Sequence, residues 1–126
     1  MSLHVQSLAP LTLVAPSTRT ATVTGTGVDL APYAATGDIN IKIVADVGTV
    51  TGTTPTLDIK IQDSDDNSSF SDITGATFTQ ITATGAGAVE IHTRTAKRYI
   101  RAVGTIAGTT PSFPLAIWAL VPERFN

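Results

Sequence analysis

Apolar residues occupy alternate positions through much of the chain, and this period of two is the pattern of half-buried β-strands. Turn residues separate the alternating runs at close intervals, and the only helical turn we allow lies in residues 31–37. Such a chain predicts roughly eight to ten short strands, one of them over residues 77–82 and followed by a turn at residues 85–87. We therefore predict an all-β fold, a single antiparallel β-sandwich of the jelly-roll or immunoglobulin-like kind. The inward residues of its clearest strands are Ile39, Ile41, Ile43, Ala45, Leu57, Ile59 and Ile61.

One stretch of the chain occurs twice, with a spacing of 56 residues. Residues 47–61 and 103–117 share eight identities in fifteen positions, including a central Gly-Thr-Thr-Pro. Each copy has strand-like runs on both sides of this tetrapeptide, so we predict two equivalent β-hairpins with the tetrapeptide in the loop. Gly52 and Gly108 are expected to have positive φ angles, which glycine adopts without steric cost.

The two copies differ on the outward face of the strand that follows the tetrapeptide. The first copy has polar residues there, namely Asp58, Lys60 and Gln62. The second copy has apolar residues at the equivalent positions and one step beyond, and we call them the Trp118 row: Pro114, Ala116, Trp118 and Leu120. Because this strand is apolar on both faces, its outward face must be covered. Pro114 lacks a backbone donor and therefore predicts an edge strand or a bulge.

Two candidates could cover the Trp118 row: the N-terminal residues of the same chain, or another protein chain. Residues 3–14 are apolar without helical spacing and are interrupted by Pro10, so they predict an extended arm or edge strands. We assign residues 1–17 to this arm or edge strand and residues 18–126 to the sandwich domain. If the row lies at an interface between chains, we expect the arm to take part through Leu3, Val5 and Leu8.

Composition argues against several classes of protein. The chain has no cysteine, which excludes disulfides and thiolate metal sites. Charged residues make up 14% of the chain and the net charge is −2, which argues against a nucleic-acid-binding protein held by phosphate contacts. The N-terminal residues lack the pattern of a signal peptide, and no apolar run has the length of a membrane span. We expect a protein made in the cytoplasm, with neither nucleic acid nor membrane as a partner.

The densest polar cluster, residues 63–70 with the sequence Asp-Ser-Asp-Asp-Asn-Ser-Ser-Phe, has two interpretations. As a calcium loop it offers oxygen ligands, but Ser68 replaces the glycine of the sharp turn and the bidentate glutamate is missing. The stretch is also similar to the Asp-box hairpin turn, in which an Asp carboxylate accepts backbone N–H bonds and an aromatic residue anchors the turn. We favour the turn, and we predict no metal and no other cofactor.

Candidates for a catalytic base at neutral pH are limited to His4 and His92. His92 follows Ile91 in an alternating strand, and His4 lies in the arm. Neither belongs to a nucleophile-elbow or triad pattern. We therefore predict no catalytic residue and no enzymatic activity.

Charged residues concentrate in two clusters. Four of the eight basic residues lie between Arg94 and Arg101, and five of the ten acidic residues lie between Asp58 and Asp72. They are either two solvated surfaces, or the acidic turn of one subunit meets the basic strand of its neighbour in a closed ring. Under the second interpretation Arg98 and Arg101 are interface residues.

Four segments of the chain resemble a family of small tailed-phage head proteins. They are residues 52–62 (GTTPTLDIKIQ), 64–72 (SDDNSSFSD), 78–81 (FTQI) and 97–102 (KRYIRA). The family comprises auxiliary capsid proteins, also called decoration or cement proteins, which are typically β-sandwich modules. Phe70 matches the aromatic residue that usually follows the acidic turn, whereas Asp66 and Asn67 replace the usual Asp-Gly pair. The resemblance covers residues 38–121 and consists of turn and core residues.

The resemblance implies a structural virion protein of a bacteriophage, bound to the outside of the head. Such proteins bridge neighbouring subunits of the major capsid protein and stabilise the capsid, so we expect that partner and a homo-oligomer, a trimer or otherwise a dimer. Many weak contacts made at once give such a clamp its avidity. Two other interpretations stay open: a carbohydrate-binding β-sandwich module, and a small adaptor in a phage tail or baseplate.

Overall fold

The computed structural model describes residues 8–32, 40–92 and 96–122. These residues form strands and connecting turns, and every strand pair among them is antiparallel. The predicted all-β sandwich is thus confirmed. Its strands are β1 (Leu8–Arg19), β2 (Val23–Thr24), β3 (Val28–Asp29), β4 (Asn40–Val47), β5 (Thr51–Ser64), β6 (Ser71–Thr77), β7 (Gly85–His92) and β8 (Tyr99–Pro122). No helix long and apolar enough to span a membrane occurs in these ranges.

The long strand β8 organises the sandwich, because it belongs to two sheets. Its first half pairs with β5 on one side and with the short strands β2 and β3 on the other, and β6 extends this sheet beyond β5. Its second half lies between β1 and β4, and β7 extends that sheet beyond β4. We call them the β5 sheet and the β4 sheet. Together they form a nearly closed, barrel-like sandwich.

Alternating apolar side chains fill the space between the two sheets, as the period of two predicts. Each side chain in the rows named below has at most 2% of its surface exposed. Ile39, which was also predicted to point inward, lies outside the described residues. The inward rows are Ile41, Ile43 and Ala45 on β4; Leu57, Ile59 and Ile61 on β5; and Phe113, Leu115, Ile117 and Ala119 on β8. Burial of these rows supplies the main favourable free energy of folding.

The two copies of the repeat are not hairpins, contrary to the sequence prediction. The first Gly-Thr-Thr-Pro lies within β5, and the second lies within the continuous strand β8. The copies pair with each other instead, and Thr53 lies opposite its own equivalent, Thr109. The pairs on either side are equivalent to each other as well: Thr51 with Ser112, and Thr56 with Ala107. The repeat therefore generates a local two-fold symmetry near the point where β8 passes from one sheet to the other.

The two tetrapeptides share the same unusual backbone angles. Gly52 and Gly108 have φ angles of 117° and 120°, so the predicted positive φ is confirmed at both. Thr54 and Thr110 also have positive φ angles, 47° and 46°, which β-branched residues seldom adopt and which we did not predict. The register between β5 and β8 shifts on both sides of Thr53. Each tetrapeptide is therefore a bulge within a long strand, where a hairpin loop was expected.

Three smaller predictions also change. Residues 85–87, predicted as a turn, belong to β7. The strand predicted for residues 77–82 is not formed, since β6 ends at Thr77. Beyond Thr77, an isolated bridge joins Ile81 to Leu57. Of the predicted helical turn, residues 31 and 32 form a simple turn, and residues 33–37 lie outside the described part.

Strand β1 forms an edge of the β4 sheet. It pairs with the second half of β8, from Leu8 opposite Pro122 to Arg19 opposite Phe113. This agrees with the edge-strand form of the N-terminal prediction, although the strand continues past residue 17, where we placed the boundary. Leu3 and Val5 lie outside the described residues.

Candidate protein-interaction site

The Trp118 row lies on the outer face of the β4 sheet, along the second half of β8. Its neighbours in the sequence, such as Leu115 and Ile117, point into the core, so the alternate side chains point outward. Pro114, Trp118 and Leu120 are half-buried, and Ala116 has 5% of its surface exposed. The row is thus an apolar stripe on the outside of the sandwich.

The row does not lie on an edge strand, contrary to the prediction from Pro114, because β8 runs between β1 and β4. The sheet tolerates this proline because Pro114 lies one residue beyond the last pair of β4 with β8, Val47 with Leu115. Its carbonyl still accepts a hydrogen bond from the backbone N–H of Gly48, at 2.9 Å. The predicted bulge is not found at Pro114 either, because this residue pairs in regular register with Thr18; the two register shifts of β1 lie opposite residues 115–118.

Neighbouring strands extend the surface on both sides of Trp118. Side chains of residues directly opposite each other in antiparallel strands share one face of the sheet. Trp118 lies opposite Thr12 of β1 and Val44 of β4, and Val44 lies opposite Ala88 of β7. We define the Trp118 face as the Trp118 row together with its neighbours on these strands: Thr12, Lys42, Val44, Asp46 and Ala88.

Two opposite charges flank the centre of the Trp118 face. Lys42 lies opposite Leu120, and Asp46 lies opposite Ala116, so the charges stand on either side of Val44 along β4. Both charged residues are exposed, and neither makes an ion pair within the described part of the chain. Beside Asp46 lies a depression of about 240 Å³. Its walls are Pro16, Ser17, Asp46, Gly48, Pro114, Leu115, Ala116 and Trp118.

Strand β1 does not cover the Trp118 face. It pairs edge to edge with β8 and so lies in the same sheet, with Thr12 itself exposed on the outer face. Leu8 takes part through its backbone, opposite Pro122. For residues 8–19, the interpretation that the N-terminal segment covers the row is therefore wrong.

Arg98 is bound within its own chain. Its Nε and Nη2 atoms donate to the two carboxylate oxygens of Asp29, at 3.0 and 2.9 Å, and its guanidinium lies 5.1 Å from the centroid of the Tyr99 ring. The hydrogen bonds from Arg98, and then the one from the backbone N–H of Ala31, lower the pKa of Asp29. This pair fastens the β3 segment to the start of β8.

Arg101 is likewise engaged within the chain, on the outer face of the β5 sheet. Its Nε donates to Gln62 at 2.8 Å, and its guanidinium stacks over Phe70, 4.1 Å from the ring centroid. Gln62 in turn donates to Asp72 at 2.8 Å, and Lys60 lies 3.1 Å from the same carboxylate. These two donors, Gln62 first, lower the pKa of Asp72. The predicted interface set is therefore divided between two sheets, and the arginines have structural partners.

The acidic turn is built as the Asp-box interpretation predicts. Oδ1 of Asp66 accepts hydrogen bonds from the backbone N–H groups of Ser68 and Ser69, at 2.9 and 3.0 Å, and from the hydroxyl of Ser64, at 2.9 Å. The bonds from Ser69, Ser68 and Ser64 lower the pKa of Asp66 to about 2. Asn67 follows with a φ of 60°, a region that Asn tolerates better than most residues.

The acidic turn and the basic segment meet within one chain. The backbone N–H of Lys97 donates to Oδ2 of Asp63 at 3.1 Å, and its Nζ lies 3.8 Å from Asp65. Asp63 is 7% exposed, so this bond satisfies a buried carboxylate. A contact between subunits is not needed to explain the two charge clusters.

Replacing Asp66 with asparagine should lower stability at neutral pH, because the carboxylate binds its three donors best when ionised. The folded-state pKa is depressed from 3.8 to about 2, so this contribution is fully present above pH 3.8 and is lost as the pH falls through about 2. Urea unfolding of wild type and D66N from pH 7 to pH 2 measures the difference. It should shrink towards pH 2; a difference that is constant with pH would contradict the assignment.

Groups that could carry other chemistry are sparse in the described residues. The described residues contain no cluster of three or more His, Asp or Glu side chains placed to hold a metal ion. His92 lies at the end of β7 opposite Asn40, and His4 lies outside the described ranges. Among the described residues, the Trp118 face is the candidate functional site.

No protein-family model matches the chain, and no curated protein matches it. The Trp118 face is therefore the structural feature on which a functional proposal rests. The sequence predicts only the Trp118 row of this face. The alternation along β4 places Lys42 and Val44 on its outward side, but the sequence does not show the strand register that brings them beside Trp118.

Proposed function

We propose that the chain is a structural virion protein that binds the outer surface of a phage head. It stabilises the capsid by bridging subunits of the major capsid protein, after synthesis in the host cytoplasm. The observation that carries the proposal is the Trp118 face, an outward apolar stripe on which Pro114, Trp118 and Leu120 stay partly exposed. The resemblance of the sequence to auxiliary capsid proteins supplies the identity of the partner.

The Trp118 face has the properties of a protein contact surface. Tryptophan is enriched at the energetic centres of interfaces, where the ring buries a large area at a small cost in conformational entropy. Here Trp118 lies at the middle of the face, with apolar neighbours along β8 and exposed charges at either side. An apolar centre with a polar rim is the usual anatomy of a protein interface.

The opposite side of the sandwich differs in kind. The outer face of the β5 sheet carries the network of Arg101, Gln62, Asp72 and Lys60, in which each side chain already has a partner. Such a surface is stable in water and gains little by binding. Binding through the β4 sheet would leave the polar side of the sandwich facing solvent on the capsid exterior.

Purified protein should sediment with heads that were assembled without it. Heads of the phage that encodes the chain, mixed with excess protein and centrifuged through sucrose, should carry it in a fixed ratio to the major capsid protein. Purified tails run as a parallel sample. Protein that stays at the top of the gradient although heads are present in the sample would contradict the proposal. Selective binding to tails would favour an adaptor role.

A carbohydrate-binding role would require exposed aromatic rings grouped as a platform for sugars. Of the described aromatic residues, Phe78 and Phe113 are buried, Phe70 lies beneath Arg101, and Tyr99 lies beneath Arg98. Trp118 has Thr12 and Val44 as its cross-strand neighbours, so no second ring lies directly beside it. The contacts of the described residues thus favour a protein partner over a glycan.

A further inference from the structure

From the arrangement of charge and shape on the Trp118 face, we infer that this face pairs with a second copy of itself across a two-fold axis. The inference rests on the proposed role of the face as a protein contact. It adds the partner that this face has in the free protein, another copy of this chain that the capsid displaces on the head, and the symmetry of the contact. In a two-fold contact each surface must be complementary to itself.

The cross-strand row through Trp118 supplies the axis. Thr12, Trp118, Val44 and Ala88 follow one another across four neighbouring strands. A two-fold axis along this row, lying between two stacked β4 sheets, places each strand over its own counterpart with the direction reversed. Residues at equal distances on either side of the row then meet.

This operation brings opposite charges together. Lys42 and Asp46 each stand two residues from Val44, about 7 Å along the strand at the usual rise. Lys42 of one copy therefore faces Asp46 of the partner subunit, and the reciprocal pair forms on the other side of the axis. Both side chains lack an ion-pair partner within their own described residues, so the contact would provide each with one.

On the axis, Trp118 meets Trp118 of the partner subunit; away from the axis, the same operation matches a large side chain with a small one. Leu120 lies beside Lys42, and Ala116 lies beside Asp46, so Leu120 of one copy lies over Ala116 of the partner subunit. Ala116 lines the depression of about 240 Å³, which offers room for the incoming leucine. Glu90, beside Lys42 on β7, faces the small Ala86 of the partner subunit and meets no like charge there.

An axis parallel to the strands does not give this fit. It leaves Lys42 at its own level along the strand. An axis between β4 and β7 would place Lys42 over Glu90 of the partner subunit, but β8 would then lie beyond the edge strand β7 of the partner subunit and Trp118 would stay uncovered. Any other parallel axis places Lys42 over Leu120, Pro10 or Lys42 of the partner subunit. Each of these positions would bury an ammonium group without a carboxylate, which is costly. Electrostatic complementarity and the covering of Trp118 together select the axis along the cross-strand row.

Charge reversal at two positions tests the symmetry directly, by sedimentation velocity of the isolated protein. The variants K42D and D46K each create two like-charge contacts per dimer and should weaken self-association at least about tenfold. An equimolar mixture of the two variants restores both opposite-charge pairs, and so does the double variant K42D/D46K. The wild type, the mixture and the double variant should therefore be dimers, whereas each single variant alone should be monomeric.

Every outcome decides the inference. Lys42 and Asp46 are both exposed, so these substitutions leave the core intact, and circular dichroism checks this. A monomeric or trimeric wild type, single variants that still dimerise, or a mixture that stays monomeric would overturn it. Because no heads are present, failure here is distinct from failure of capsid binding: a monomer that still sediments with heads would retain the proposed function and refute the dimer.

Discussion

Replacing Gly52 with alanine is expected to destabilise the protein by roughly 2–5 kcal/mol, because backbone strain and overlap act together. The φ angle of Gly52 is +117°, which residues with a Cβ atom rarely adopt. A Cβ at this position would lie 2.7 Å from the carbonyl oxygen of Thr110 and 2.9 Å from Cα of Pro111. Both atoms belong to the backbone of the paired copy, so neither can move aside alone.

The symmetry of the repeat predicts a similar loss of stability when the equivalent glycine, Gly108, is replaced. A Cβ on Gly108, where φ is +120°, would lie 2.8 Å from the carbonyl oxygen of Thr54 and 2.9 Å from Cα of Pro55. The two glycines therefore make reciprocal contacts across the local two-fold. G52A and G108A should lose similar amounts of free energy of unfolding, within about 1 kcal/mol of each other.

Two other glycines separate strain from overlap. Gly75 has a φ of +83°, but no atom lies within 4 Å of the position that an added Cβ would take, so G75A should cost only the strain, about 1–2 kcal/mol. Gly85 has neither feature, and G85A should be close to neutral. Urea unfolding followed by circular dichroism measures all four variants. If G52A is no less stable than G75A, the two copies do not pack as closely as described.

The inward rows of the sandwich were predictable because burial on one face of a strand imposes a period of two, whatever the strand pairs with. Ile59 and Ile61 could therefore be assigned to the core from local pattern alone, and both are fully buried. The pairing itself could not be assigned in this way. Gly-Thr-Thr-Pro has the local signals of a hairpin loop, and a bulge within a long strand requires the same residues.

The candidate site shows the same division between local and distant information. The outward stripe of Trp118 was readable because its positions are apolar on both faces of one strand. Its neighbour Val44 is far away in the sequence and joins it through sheet register alone. The partner of Arg98 is Asp29, 69 residues away, and no local signal identifies such a pair. Arg98 was therefore predicted as an interface residue, although its partner lies within its own chain.

Replacing Trp118 with aspartate is expected to leave a folded protein that no longer binds other chains through this face. Trp118 is outward and half-buried, so its removal spares the inward core rows on either side. A charge at the centre of a desolvated contact has no partner, and truncation of a central tryptophan alone can cost about 2 kcal/mol or more. This corresponds to a loss of about 30-fold or more in affinity.

A matched control places the same charge on the other sheet. Thr77 is an exposed strand residue opposite Lys60 on the outer face of the β5 sheet, so T77D tests the effect of an added surface carboxylate. Circular dichroism should give the same spectrum for wild type, W118D and T77D. Loss of the β-sheet spectrum in W118D would assign Trp118 to the folding core, and undiminished binding to heads would make the Trp118 face a free surface.

The stability of heads tests most directly the claim that the protein reinforces a capsid through the Trp118 face. Heads assembled without the protein are filled with DNA, saturated with wild type, W118D or T77D, and heated while a dye reports released DNA. Wild type and T77D should raise the release temperature by the same amount, and W118D should leave it at the value of undecorated heads. An unchanged release temperature with wild type, or equal protection by W118D, would contradict the account.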